Sequence, residues 1–221
     1  MLLTHLEVDF EDKQYDLGDA PAYEQSEWQQ DKSTLPLAFP NLPYLIDDSF
    51  SLTESWAILK YVCGKYRPEY MGRDMLEEGH VGMLQGVLTD LRTLLGRTTY
   101  SPEFAEMRTA TRDALITSLR KFATYLTNKR FLVGAEPTYV DFYLFELLQY
   151  IEAWEPGLPA EVSPVFSQYL AAFRTLAHIQ EFESRPRLPF NTKAASCPVH
   201  CLSGGTETSG EVGYCGIHYK V

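Results

Sequence analysis

The stretch that most constrains this chain is Phe39-Pro40-Asn41-Leu42-Pro43-Tyr44-Leu45-Ile46-Asp47, followed closely by Ser51-Leu52-Thr53-Glu54-Ser55. Pro43 has no backbone donor, so Leu42 presents its N–H and C=O outward rather than to a central ladder. Tyr44-Leu45-Ile46 is aromatic, aliphatic and β-branched, which suits a strand. Asp47-Asp48-Ser49 is turn chemistry, and Ser51-Leu52 allows a short return strand. Thr53 to Ser55 then opens a helix whose apolar face is Ala57, Ile58, Tyr61 and Val62. A helix N-terminus with a Ser in its first turn offers free amides and a hydroxyl to a carboxylate. The unit reads as a holder for a peptide-like anion.

The rest of the chain is organised around this unit. Upstream, Leu2, Leu3 and Leu6 end an apolar helix face. Val8 to Tyr15 alternates apolar and polar as a strand does, and Ser26 to Lys32 is a short polar helix or loop carrying Trp28. The helix after Ser55 stops at Tyr66-Arg67-Pro68. From Asp74 onward the signals are helical. Leu84, Val87, Leu88, Leu91, Leu94 and Leu95 predict a helix of about six turns. Ser101-Pro102-Glu103 starts another, with Ser as N-cap and Pro at the first helical position. Its apolar positions include Leu115, Leu119, Phe122 and Leu126. Thr138 to Asp141 has capping-box spacing, with Asp for the usual Glu or Gln. The helix it opens is apolar on most sides, as a helix in the middle of a bundle is. Pro164 opens a last amphipathic helix through Val165, Tyr169, Phe173 and Leu176. The expected organisation is an α/β domain over residues 1–67, an all-α bundle over 74–190 and a flexible or disordered tail over 191–221, which is rich in Gly, Ser and Thr and lacks a period.

A net charge of −11 argues against nucleic acid or an anionic membrane as the main partner. No apolar run approaches the roughly 18 residues that span a bilayer, and Glu7 and Asp9 come too soon for a secretory signal. Three of the four cysteines lie after residue 196, which makes no disulfide framework; a reducing cytoplasm is expected. Cys197, His200, Cys201, Cys215 and His218 are zinc-ligand residue types, but no apolar mini-core surrounds them and no metal is expected. Cys63 reads as a small buried hydrophobe.

The run FPNLPYLID, then LTES and AILKY, preceded by GDAP and the Ser26–Trp28–Lys32 spacing, closely resembles the mu class of cytosolic glutathione transferases. The likeness continues through YSPEF and TYVDF to about Pro189. It implies a thioredoxin-like N-terminal domain, an α-helical C-terminal bundle, a homodimer, and glutathione as co-substrate with no further cofactor. The implied reaction is conjugation of glutathione to hydrophobic electrophiles.

By position, the resemblance makes Pro43 the cis-proline of the thioredoxin-like fold, with Leu42 pairing by its backbone with the cysteinyl unit of glutathione. Trp28, Lys32 and Asn41 match the side that takes the glycyl end, and Glu54 and Ser55 match the pair that takes the γ-glutamyl end. The family pattern has Gln where Glu54 stands. Asp90 matches an acid that reaches across the dimer to the γ-glutamyl ammonium. Tyr100 matches a phenol at the electrophile site, and Phe39 an aromatic key inserted into the partner subunit. Bland alternatives stay open for several of these: Trp28 as cover for a core edge, Lys32 and Asp90 as solvated charges, and Tyr100 as a packing residue.

One family feature has no counterpart. The family begins with a strand bearing a Tyr that stabilises the glutathione thiolate, and Met1 aligns beyond it, inside the first helix. No catalytic residue is therefore assigned. Tyr15, on the following strand, is no substitute. The resemblance implies that loss of that interior strand would expose a sheet edge and part of the core. It leaves three readings: a conjugating transferase, a glutathione-binding protein without efficient turnover, and a glutathione-dependent isomerase.

Overall fold

The computed structural model describes residues 1–15, 25–185 and 217–220, the last as backbone strand. The chain opens on a short helix, α1 (Leu2–His5), with Leu2, Leu3 and Thr4 buried. Strand β1 (Glu11–Gln14) follows, shorter than the alternation over Val8 to Tyr15 predicts. Then come α2 (Ser26–Lys32) and the hairpin β2 (Tyr44–Asp47) and β3 (Phe50–Thr53). Asp47 belongs to β2 rather than to the turn. It is buried, accepts a hydrogen bond from Tyr61 at 2.6 Å and pairs with Lys65, so its chemistry serves helix packing. Both of those bonds hold its carboxyl below the usual range.

Helix α3 (Ser55–Tyr66) packs on this hairpin and ends where Arg67-Pro68 breaks the pattern. A 3₁₀ turn (Pro68–Met71) leads to α4 (Met75–Thr99), the long helix expected from the leucine ladder. Asp74 caps it, accepting from the backbone N–H groups of Leu76 and Glu77 at 3.0 and 2.9 Å. Helix α5 (Phe104–Leu126) starts just after the expected signal. Ser101 there accepts from the N–H of Glu103, closing a turn ahead of the helix instead of capping its first turn. Helix α6 (Tyr139–Trp154) carries the capping box of Thr138 and Asp141. Helices α7 (Leu158–Val162), α8 (Pro164–Arg174) and α9 (Ile179–Ser184) complete the bundle.

Helix α6 is the centre of the molecule. It packs on α3, α4, α7 and α8. Its many aromatic and β-branched residues cost at most about 0.7 kcal/mol each in helix propensity. Burial of side chains such as Phe142, Phe145, Leu148 and Ile151 contributes about 1.5–3 kcal/mol each, so packing decides the conformation. One apolar cluster runs from Leu2 and Leu3 through Leu45, Ile58 and Val62 to Leu88, Phe142 and Phe173, so the α/β part and the bundle share a core. A second, small cluster of Tyr15, Trp28, Leu37 and Tyr44 lies against α2.

The sheet differs from expectation at its centre. Its order is β1-β4-β2-β3, where β4 is Ile217–Lys220 from the C-terminal tail. β4 runs antiparallel to β1, with Gln14 opposite Ile217 and Glu11 opposite Lys220. It runs parallel to β2, with Leu45 opposite Tyr219. The tail is therefore not without regular structure at these four residues, and the interior position expected to stand open is filled. The physical reason is that ladder pairing uses backbone groups, so a segment without amphipathic period still pairs where two strands leave donors and acceptors facing. The expectation for 191–216, with Cys197, His200, Cys201 and Cys215 in it, lies outside the described residues.

Candidate functional site

The hairpin register builds the site. Tyr44 stands opposite Thr53, so the residues just before β2 and just after β3 meet at one end of the sheet. Before β2 is the Leu42–Pro43 peptide, which is cis. After β3 are Glu54 and Ser55, at the N-terminus of α3. The loop leading to Leu42 is tied to β3: Thr53 donates its hydroxyl to the Phe39 carbonyl at 3.0 Å, and Ser51 donates to the Pro36 carbonyl.

Glu54 has φ of +75°. A non-glycine residue at positive φ costs on the order of 1–3 kcal/mol and persists where the surroundings impose it. Its carbonyl still accepts the first helical bond, from the N–H of Ile58 at 2.9 Å. The Glu54 carboxylate is exposed and, like the Ser55 hydroxyl, makes no hydrogen bond within the described residues. The first turn of α3 is itself clamped. Trp56 donates its Nε1–H to Thr89 Oγ1 at 3.0 Å and stacks on Tyr143 with ring centres 4.0 Å apart. Thr89 precedes Asp90, so the clamp brings the segment of α4 carrying Asp90 up to the N-terminus of α3. Asp90 itself is exposed.

Helix α2 is brought to the same strand by aromatic packing. Trp28 is buried, stacked on Tyr44 at 6.2 Å and edge-on to Tyr15 at 5.4 Å. Its ring thus covers a core edge, whatever else it touches. Lys32, at the last position of α2, is half-buried and forms no ion pair within the described residues. Asn41 is also half-buried. Phe39 is 81% exposed, an unusual state for so large an apolar ring.

Two groups escaped the sequence reading. The first is a tether for α2: Asp31 accepts from Tyr15 Oη at 2.6 Å and pairs with Lys13, which also lies 3.6 Å from Glu27. Lys13, then Tyr15, hold the Asp31 carboxyl below its usual range, while burial and that carboxylate push the Tyr15 phenol well up. Tyr15 is thus committed to Asp31. The alternation of Lys13 and Tyr15 on one side of a strand was the available signal. The second is Arg92, whose guanidinium lies 4.3 Å from the Tyr150 ring centre. Burial lowers its pKa, opposed by Tyr150 and Tyr143, with Tyr100 also in its field. Tyr100 is nearly buried at the end of α4, on this side of the bundle. An open cleft of about 700 Å³ lies elsewhere, at the far end of α3, lined by Lys60, Glu69, Arg73 and Tyr139 among others, and contains none of the expected site residues.

The family model described as glutathione S-transferase, N-terminal domain matches residues 1–63, and that of the C-terminal domain matches 89–186. The chain belongs to the glutathione S-transferase family. Among curated relatives, glutathione S-transferase 2 of Gallus gallus is 35% identical over 182 residues, 82% of this chain and 81% of that protein. Glutathione S-transferase Mu 4 of Mus musculus is 33% identical over 199 residues, 89% of this chain and 90% of that protein. The solved structure of the glutathione S-transferase Blo t 8 superposes with a TM-score of 0.77 at 28% identity, covering 87% of this chain and 92% of that one. The α/β part is accordingly the thioredoxin-like domain of a glutathione S-transferase and the bundle its helical domain, with mu-class relatives prominent.

Proposed function

We propose that this chain binds glutathione at the cis-proline end of the sheet and conjugates its sulfur to electrophilic carbon centres of small apolar molecules. The reading is carried by one observation, the register that sets Leu42 and cis-Pro43 against Glu54 and Ser55 in a member of this family. Leu42 pairs by its backbone with the cysteinyl unit, in the manner of an added strand. Ser55 and the first amides of α3 take the γ-glutamyl carboxylate, and Glu54, with Asp90 of a partner copy, takes the ammonium. Lys32, with Asn41 and Trp28 beside it, takes the glycyl carboxylate; a lysine serves there as a point charge. Tyr100, near Arg92, faces the electrophile and donates to charge developing on it.

In the reaction the thiol gives its proton to solvent or a nearby base. The thiolate forms a C–S bond, and the electrophile releases its leaving group or takes up a proton. A free thiol has pKa ~8.5, so the gain comes from favouring thiolate and from positioning. The protein acts in the cytoplasm as a homodimer and needs no cofactor beyond glutathione. No helix among the described residues is long and apolar enough to cross a membrane. Exposed Leu76, Met83 and Val87 lie on one face of α4 with Asp90, and exposed Phe39 supplies the key.

The test is retention on immobilised glutathione, together with turnover of 1-chloro-2,4-dinitrobenzene. The expected result is retention, turnover above the buffer reaction, and retention weakened about tenfold in Ser55→Ala. Retention with turnover no faster than buffer replaces conjugation by the binding-protein reading. Unchanged retention in Ser55→Ala removes the γ-glutamyl assignment.

A further inference from the structure

Among the described residues, strand β1 joins the backbone ladder of the sheet only through β4. In the order β1-β4-β2-β3, β1 is the outer strand, and every one of its four residues has its ladder partner in Ile217–Lys220. β4 is held on its other side by Leu45 and Ile46 of β2. Removing these four residues would leave two facing rows of unpaired backbone groups, the costliest kind of exposed edge.

The consequence reaches the ligand site. The β1 end of the sheet carries Lys13 and Tyr15, which anchor Asp31 and therefore α2 with Trp28 and Lys32. The β2 end carries cis-Pro43. The part expected to take the glycyl end and the part expected to take the cysteinyl unit thus share one ladder connection, β4. Packing between Tyr15, Trp28 and Tyr44 also joins them, as does the 3.1 Å hydrogen bond between the Tyr15 and Tyr44 hydroxyls, but those are side-chain contacts of a small four-residue cluster. Pairing of this kind is carried by main chain, which makes the slot a site for an extended peptide of permissive sequence. The direction is informative: β4 runs antiparallel to β1 and parallel to β2, as a strand arriving from the far end of the chain can do without matching any β-α-β connection.

We propose that the gap between β1 and β2 is a strand-accepting site, and that its occupant is this chain's own C-terminal segment, inserted in cis. The terminal strand then acts as the central strand on which order in β1 and α2, and hence glutathione affinity, depends. The glutathione part of this statement rests on the function proposed above; the strand part does not.

The experiment compares the full chain, a chain ending at Gly216, and the full-length variants Tyr219→Pro and Tyr219→Val. Proline removes a backbone donor from an interior strand, while valine keeps the ladder. Amide hydrogen exchange is followed in β1, β2 and α6, and retention on immobilised glutathione in parallel. In the shortened chain and in Tyr219→Pro, exchange in residues 11–14 and 44–47 should accelerate about tenfold or more. Exchange in α6 should stay as in the full chain, which shows that the bundle remains folded. Tyr219→Val should match the full chain, and a peptide of residues 211–221 added to the shortened chain should restore protection and retention. Protection should survive about a hundredfold dilution, as expected of an intramolecular strand. Equal exchange in all four proteins overturns the proposal. Protection lost on dilution also overturns it, by assigning the strand to a second copy. If the exchange results are as expected but the full chain is not retained on glutathione, the strand site stands and the glutathione reading falls. If retention is normal throughout while exchange is unaltered, the reverse holds.

Discussion

Asp141 ties the start of α6 to the Leu132 backbone and to Tyr169 of α8. Its carboxylate is fully buried and accepts from the N–H groups of Leu132 and Thr138 at 2.8 Å each, from Thr138 Oγ1 at 2.9 Å and from Tyr169 Oη at 3.0 Å. Burial pushes its pKa up, and those four donors oppose the push. Asp141→Ala strands three buried donors, Tyr169 Oη keeping the Asp141 carbonyl at 3.2 Å, and removes one half of the α6 capping box, so a loss of about 3 kcal/mol or more is expected in urea unfolding; a loss below about 1 kcal/mol would contradict this account. Two histidines at the contact of α1 with α9 give opposite pH signatures. His5 bonds the Ala177 carbonyl and Tyr70 Oη, each at 2.9 Å, and burial lowers its pKa. The fold therefore favours neutral His5, a contribution present above the unfolded pKa of about 6.5 and lost as pH falls below it. His178 is raised, first by Glu181 and then by Glu7. Its contribution is full below the unfolded pKa and is lost as pH rises through the folded one. The stability difference between wild type and His5→Gln should grow from pH 5.5 to 7.5, and that for His178→Gln should shrink. Parallel, pH-independent differences would refute both assignments.

At the scale of elements, the junction between α3 and α4 is set by Gly72. Its φ is +113°, and a Cβ there would lie 2.6 Å from the backbone nitrogen of Glu78 in the first turn of α4. Both the conformation and the space exclude a side chain. Gly72→Ala should cost about 1–3 kcal/mol, measured by chemical denaturation, because no flexible side chain is available to yield. A neutral effect would mean that the junction relaxes freely. Much of this level was legible beforehand. The leucine ladder of α4, the Thr138–Asp141 box and the proline start of α8 are local signals, and local signals survive into structure because each satisfies its own backbone groups. Strand β1 was overestimated in length, because the alternation in Val8 to Tyr15 continues where pairing does not: Val8 and Phe10 pack on the main core instead.

For the whole molecule, α4 leaves Leu76, Met83 and Val87 exposed on one face, beside glycines 79 and 86. That stripe, with Phe39, is the expected contact of the proposed homodimer. Met83→Glu/Val87→Glu, or Phe39→Ala, should shift the sedimentation of the protein toward monomer by at least about tenfold in dissociation constant. An unchanged dimer would place the interface elsewhere. The meeting of Leu42 and Pro43 with Glu54 and Ser55 was legible because the run from Phe39 to Ser55 is continuous in sequence, and a hairpin brings the ends of such a run together by itself. Asp31, Tyr15 and Arg92 were not legible. Each acquires its role from a partner on another element, and residue type alone does not distinguish a tethering carboxylate or a buried guanidinium from a solvated one.

By itself the sequence determined the family, the capping box that opens α6 and the proline start of α8, because these depend on residue type and short spacing. Only the tertiary structure decided what occupies the centre of the sheet. The residues Ile217–Lys220 have no pattern that announces a central strand, and their partners in β1 and β2 lie far away along the chain, more than 170 residues in each case. Backbone pairing is blind to sequence and to distance along the chain, so the strand that completes the sheet could be found only where the fold left room for it.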